Sequence, residues 1–178
     1  MKVIGLGGLP AVGKSTIFKG IRKTLGNRKI FKYGILKGEY YDPNIYILGT
    51  YDRKFGGTDT LSMAVQPNTE LFLKSMKNKD IVIMFEGDRL FNGKFIKFIK
   101  AMKINYSLYM IIANPDIIEK RHIQRNDTQS EQWKKSRDTK YSTIYRNYVK
   151  DITLLTNDNN KQLKENVKTI WQDLKNIK

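Results

Sequence analysis

The chain has 178 residues and a mass of 20.8 kDa, a length that suits one compact domain. Its 33 Lys and Arg against 17 Asp and Glu give a formal net charge of +16, which favours polyanionic partners, although 25 of the 33 are lysine, as a compositional bias would also give. Zero cysteines exclude a disulfide framework, a thiolate metal site and a Cys nucleophile; the single His122 excludes a His-rich metal site but leaves a Ser-His-Asp triad open.

Lys2–Leu6 predicts a short buried strand. The apolar run Val3–Val12 is too short to span a membrane and ends in Gly-Lys-Ser rather than a small-residue cleavage site, so a soluble, intracellular protein is expected. A Gly/Pro loop leads into a helix over Lys14–Leu25, then strands over Lys29–Leu36 and Tyr46–Thr50. A long helix is predicted over Leu61–Met76, kinked or interrupted at Pro67. Asp80–Phe85 is the clearest buried strand, and Lys94–Met102 follows with Phe95, Ile96, Phe98, Ile99 and Met102 at helical spacing. Tyr106–Ala113 reads as a further strand, closed by the helix start Asn114-Pro115-Asp116. Ile117–Lys150 is helical in pattern and strongly basic, Ile152–Thr156 is a last short strand, and Asn160–Ile177 a final helix. Near-continuous apolar strands alternating with helices predict the α/β class, a three-layer αβα sandwich on a parallel sheet within one domain.

Gly8-Leu9-Pro10-Ala11-Val12-Gly13-Lys14-Ser15 matches G-x-x-x-x-G-K-[ST] in full, between a strand and a helix as that motif requires. Its glycines let successive N–H groups curl around phosphate oxygens, Lys14 reaches the β/γ-phosphates, and the Ser15 hydroxyl ligates Mg²⁺. Residues 8–15 with Thr16 are therefore the candidate ATP site. In Ile81-Val82-Ile83-Met84-Phe85-Glu86-Gly87-Asp88-Arg89 an apolar strand carries acids to the sheet edge beside that loop. Glu86 is placed to hold Mg²⁺ through water, Asp88 to take a proton from an attacking hydroxyl, and Arg89 to pair an anionic acceptor. Spacing alone leaves Glu86 open as the base.

A basic segment runs from Arg121 to Lys140, with Arg121 and Arg125 four residues apart on one helical face, where both could meet one polyphosphate. Arginine forks stabilise charge on transferring oxygens, so Arg121 and Arg125 are catalytic candidates with Arg137 a third, on a lid spanning roughly 117–140. The stretch Gly49–Met63 mixes aromatic, charged and glycine residues. Tyr51, Arg53 and Phe55 are candidates to stack on and orient an acceptor, with Asp59 in the same group. Asp59 or Thr58 would cap the following helix, and Gln66 would reach the same cleft. Plainer readings stand beside these: strand-end charges in water, a solvated helix face, an ordinary loop with a helix cap.

The order of these motifs resembles the P-loop nucleoside and nucleotide kinase family over almost the whole chain. Phe85-Glu86-Gly87-Asp88-Arg89 looks like the family's acid-bearing segment after the next core strand, the region from Arg121 its lid, and Leu154-Leu155-Thr156-Asn157-Asp158 its last strand and adenine-side loop. No Asn-Lys-x-Asp guanine motif supports a GTPase. The block Gly56-Gly57-Thr58-Asp59-x-Leu61-Ser62-Met63 is similar to P-loop kinases of phage DNA hypermodification, which phosphorylate the 5-hydroxymethyl group of hydroxymethyluridine in DNA. The resemblance implies ATP and Mg²⁺ as cofactors, DNA as acceptor, and the cytoplasm of an infected bacterial host, with no membrane or protein partner evident. A base flipped from the duplex would be received by Tyr51 and Phe55. Two other readings remain: a kinase of free nucleosides or nucleoside monophosphates, with Arg89 and Arg53 on the acceptor phosphate, and a nucleotide-dependent DNA-binding module that transfers nothing.

Overall fold

The computed structural model describes residues 1–51 and 58–176. Seven strands form one sheet in the order β2-β3-β4-β5-β1-β6-β7. At its centre β1 (Lys2–Gly7) runs parallel to β5 (Val82–Glu86) and β6 (Asn105–Ile112), and the parallel run extends to β4 (Ile45–Leu48) and β7 (Ile152–Thr156). Both β1 and β5 are buried along their whole length, so neither alternates between apolar and polar residues.

Alternate residues of β1 feed two cores. On one face Val3 packs with Ile83 and Phe85 beneath α2 (Val65–Met76), α3 (Gly93–Ala101) and α5 (Glu131–Asn147). On the other, Ile4 and Leu6 pack with Val82 and Met84 beneath α1 (Lys14–Arg22) and α6 (Asn160–Lys175). The molecule is an α/β three-layer sandwich. A partly buried ion pair, Lys2 Nζ to Asp173 Oδ1 at 2.5 Å, ties the start of β1 to the end of α6.

The expected parallel sheet forms the body of the molecule and carries an antiparallel addition at one edge. The segment predicted as one strand over Lys29–Leu36 folds as a hairpin: β2 (Arg28–Tyr33) and β3 (Leu36–Tyr41) pair antiparallel, and β3 pairs antiparallel to β4. Gly34 makes the turn at φ +58°, where a Cβ would stand 2.0 Å from Asn68 Oδ1. That oxygen accepts the Ile35 N–H at 3.2 Å and fixes the turn against α2. Beneath the hairpin the buried Glu39 carboxylate accepts two bonds from Arg22, at 2.6 and 2.7 Å, one from Arg28 at 3.1 Å and one from the Tyr41 hydroxyl at 2.8 Å.

Two helix boundaries also differ. α2 begins at Val65, not Leu61, so Pro67 falls in its first turn, where its missing N–H has no intrahelical partner to lose. Residues Thr58–Thr60 instead form a 3₁₀ turn. The basic stretch divides into α4 (Pro115–Gln124), capped by Asn114, and α5, capped by Ser130, with residues 125–130 between them. The carboxyl ends of β1, β5 and β7 meet on one edge of the sheet, bringing residues 8–13, Glu86–Arg89 and Asn157 together.

Candidate functional site

The loop from β1 into α1 carries left-handed backbone at Ala11 (φ 62°) and Gly13 (φ 100°). Left-handed residues set among right-handed ones turn successive N–H groups to one side, and the resulting concavity suits an anion at the helix N-terminus. A side chain at Gly13 would not fit, because its Cβ would lie 2.3 Å from Asn157 Nδ2. That amide donates to the Val12 carbonyl at 2.6 Å and buttresses the loop, a role the sequence did not single out. The Lys14 ammonium donates to the Gly8 and Leu9 carbonyls, both at 2.8 Å, and so lies across the loop.

Two cavities adjoin this loop. The larger, about 580 Å³, lies between the loop, Glu86, Asp88, Arg89 and residues Arg125–Gln129, Trp133 and Arg137. The second, about 490 Å³, lies between the start of α1, Arg121, Arg125 and residues 157–160. Arg125 borders both, as a residue bridging the two ends of a nucleotide would.

Glu86 ends β5 with its carboxylate 2% exposed, and the Thr58 hydroxyl donates to its carbonyl. Thr58 therefore anchors the 3₁₀ turn to β5 and does not cap a helix. The Tyr51 phenol is pushed well above its ordinary pKa, first by burial and then by the Glu86 charge, so it stays protonated beside that carboxylate.

Asp88 stands one step further out, encircled by α5. The Arg137 guanidinium donates to its Oδ2 and the Tyr141 hydroxyl to its Oδ1; the Lys140 ammonium is 3.4 Å from Oδ1 and bonds the Asp88 carbonyl at 3.1 Å. Burial pushes the Asp88 carboxyl up, but the Tyr141 bond and the charges of Lys140, Arg137 and Lys14 outweigh it and hold it below the ordinary carboxylate value. Lys140 and Tyr141 were missed in the sequence because they announce themselves only once α5 is laid across β5.

Three expectations are corrected. Tyr51 is 4% exposed, stacked on Phe18 at 5.7 Å with the Arg22 guanidinium 4.9 Å above its ring, so it has no face to offer an acceptor. The aromatic residue that borders the larger cavity is Trp133, whose ring lies 4.9 Å from the Arg137 guanidinium. Arg121 and Arg125 meet as their spacing predicts, but at the second cavity; Arg125 also borders the larger one and Arg121 does not, so Arg121 is not placed to meet the transferring group. Arg121 donates to the Ala11 carbonyl at 3.2 Å and the Asn157 carbonyl at 2.8 Å, beside the second cavity, and burial lowers its pKa. Gln66 turns from the cleft to Glu70 at 2.8 Å and Asn92 at 3.1 Å. Arg89 borders the larger cavity with Thr60 and bonds the Leu61 carbonyl at 3.4 Å. Arg53 and Phe55 lie outside the described residues, as does the side chain of Asp59.

Among the described residues no group of three or more His, Asp or Glu is placed to hold a metal ion by itself. Mg²⁺ at a phosphate site does not need one, since it keeps several waters and takes one or two protein oxygens besides the phosphates. Ser15 and Glu86, both bordering the larger cavity beside the loop, fit that donor set. No described helix is long and apolar enough to cross a membrane.

No protein-family model matches the chain, and no curated protein does. Among solved structures it is similar to a gluconokinase from Sinorhizobium meliloti 1021, with a TM-score of 0.51 at 8% identity over 98% of this chain and 95% of that one. A shikimate kinase from Bacteroides thetaiotaomicron aligns over 97% of this chain and 98% of its own, with a TM-score of 0.46 and 11% identity. A sugar kinase from Janibacter sp. HTCC2649 aligns over 98% and 95%, with a TM-score of 0.45 and 7% identity. At 8% identity the likeness to the gluconokinase is one of fold: the chain has a P-loop kinase-like αβα architecture.

Proposed function

We propose that the chain is a Mg-ATP-dependent kinase that transfers the γ-phosphoryl group to a hydroxyl of a nucleotide. The observation that carries this reading is the larger cavity, in which the anion-cradling loop faces a carboxylate held among Lys14, Arg137 and Lys140. The loop amides and Lys14 bind the β/γ-phosphates, Arg121 and residues 157–160 hold the nucleoside end, and Arg125 spans the two. Mg²⁺ held by Ser15 and Glu86 neutralises charge on the phosphate oxygens when bound. Asp88 takes the proton of the acceptor hydroxyl as its oxygen bonds to the γ-phosphorus and the bond to the ADP oxygen breaks. Arg125, Arg137 and Lys140 meet the charge on the transferring oxygens. Trp133 offers an aromatic face to the acceptor.

The acceptor we favour is hydroxymethyluridine in DNA, on the resemblance of residues 56–63 and the net charge of +16. Arg89 at the cavity wall favours a second acceptor, a nucleoside monophosphate. The test is transfer of labelled γ-phosphate from ATP to hydroxymethyluridine DNA, ordinary DNA, nucleosides and monophosphates in parallel. Label on the modified DNA alone supports the favoured acceptor, and label on a small nucleotide replaces it with the second. ATP binding with no label on any acceptor overturns the kinase reading and leaves a nucleotide-dependent binding module.

A further inference from the structure

The positive charge is not spread evenly. The first 38 residues hold nine Lys and Arg and no Asp or Glu, and the first acid, Glu39, is buried under Arg22 and Arg28. This acid-free stretch builds one continuous edge, from α1 through the loop into β2 and β3. In the hairpin register Lys32 faces Lys37 and Ile30 faces Glu39, so these four share one side of the sheet. It is the side of α1, because Arg22 bonds Glu39 there. Lys32, Lys37 and Ile30 remain exposed beyond α1, and Lys19 and Lys23, one helical turn apart, are exposed on the helix.

Two lysines directly opposite across a strand pair repel, and Glu39 on this side is buried under Arg22 and Arg28, so a bound anion would relieve the pair. The cations sit on a fixed frame, since the turn is bonded to α2 and the strands to the Glu39 network. Among the described residues the shelf carries no exposed aromatic: Tyr41 on this side is 3% exposed, and Tyr33 turns to the other side against Phe72. A flexible single strand would need aromatic faces for its bases, whereas a duplex needs only its phosphates met. The Lys32–Lys37 end lies at the carboxyl edge of the sheet, three to four strand spacings or about 15–19 Å from the end of β1.

We propose that the face of the β2–β3 hairpin beside α1 is a docking surface for the phosphate backbone of duplex DNA, bound without regard to sequence. This goes beyond the kinase reading and stands without it, because docking needs neither ATP nor transfer.

The test is anisotropy of the full chain with a labelled duplex of ordinary sequence, titrated in salt without ATP. Lys32→Gln/Lys37→Gln should weaken binding about tenfold or more near 0.1 M salt and reduce the slope of log affinity against log salt by about 1.8. Lys19→Gln/Lys23→Gln should act in the same direction and serves if the hairpin variant folds poorly. Lys97→Gln on α3 with Lys103→Gln just beyond its end, across the sheet, changes the net charge equally and should leave affinity within about twofold if contacts are local. Equal losses in all three variants would overturn the proposal, as would tighter binding of a single strand of the same length, or no duplex binding by the parent chain.

Discussion

Asp88 is surrounded by cations before any phosphate arrives, and this sets what it can do. A carboxylate held below its ordinary pKa is a weak base. Phosphates that draw Lys14, Arg137 and Lys140 away would raise its affinity for a proton as the acceptor needs one, so basicity follows occupancy of the donor site. Asp88→Asn is expected to lower kcat about 10²–10⁴-fold with a smaller change in the KM for ATP, measured by steady-state kinetics. The same carboxyl contributes to folding. Its folded pKa lies below the unfolded value near 3.8, so its stabilisation is present above that value and fades as pH falls through the folded one. Urea melts at neutral and acid pH should therefore differ less for Asp88→Asn than for the parent. Tyr141→Phe removes a bond to the ionised form, which raises the Asp88 pKa; the acid limb of the pH profile of kcat/KM should move to higher pH, with a modest fall in melting temperature at neutral pH because part of the same stabilisation is lost. The phosphate loop was legible because its chemistry is local, eight consecutive residues between a strand and a helix. Asp88 was legible as a strand-end acid, but its partners lie 49 to 53 positions away on a helix whose charged face reads like any solvated one.

Among the elements, the central strands were the easiest to read, since burial on both faces leaves an unbroken apolar run. The hairpin was not, because Gly34 falls within one continuous stretch of strand-forming residues, and only the register separates β2 from β3. Tyr51 was misjudged for a related reason: an aromatic residue after a strand looks the same in sequence whether it caps the core or lines a cleft. The hairpin's stability rests on Glu39. Glu39→Ala would leave Arg22 facing a buried void and remove the Arg28 bond to this carboxylate, and is expected to cost about 3 kcal/mol in urea denaturation, at the lower end for broken buried pairs because Arg28 is partly exposed. Pro67, read as a break, lies instead where a helix accepts proline, and the boundary was missed because no side chain caps α2.

At the scale of the whole molecule, the site is assembled from distant parts of the chain. Residues 8–14, 86–89, 121–141 and 157–160 meet at one sheet edge, and Arg121 bonds carbonyls at both Ala11 and Asn157. A nucleotide bridging these parts binds only the folded form. Saturating Mg-ATP, at about 100 times its dissociation constant, is therefore expected to stabilise the fold by about 2.7 kcal/mol, seen as a raised melting temperature, and Lys14→Ala should remove most of that rise.

Of the two outermost strands, β2 has one side paired to β3 and the other unpaired among the described residues. Open strand edges are templates on which a second copy of a chain can add itself, and proteins discourage this by studding such edges with charge. Arg28, Lys29 and Lys32 in a strand of six residues serve that purpose here, for two copies brought edge to edge would set cation against cation. The chain should thus stay dispersed at concentrations where a neutralised edge would grow into aggregates.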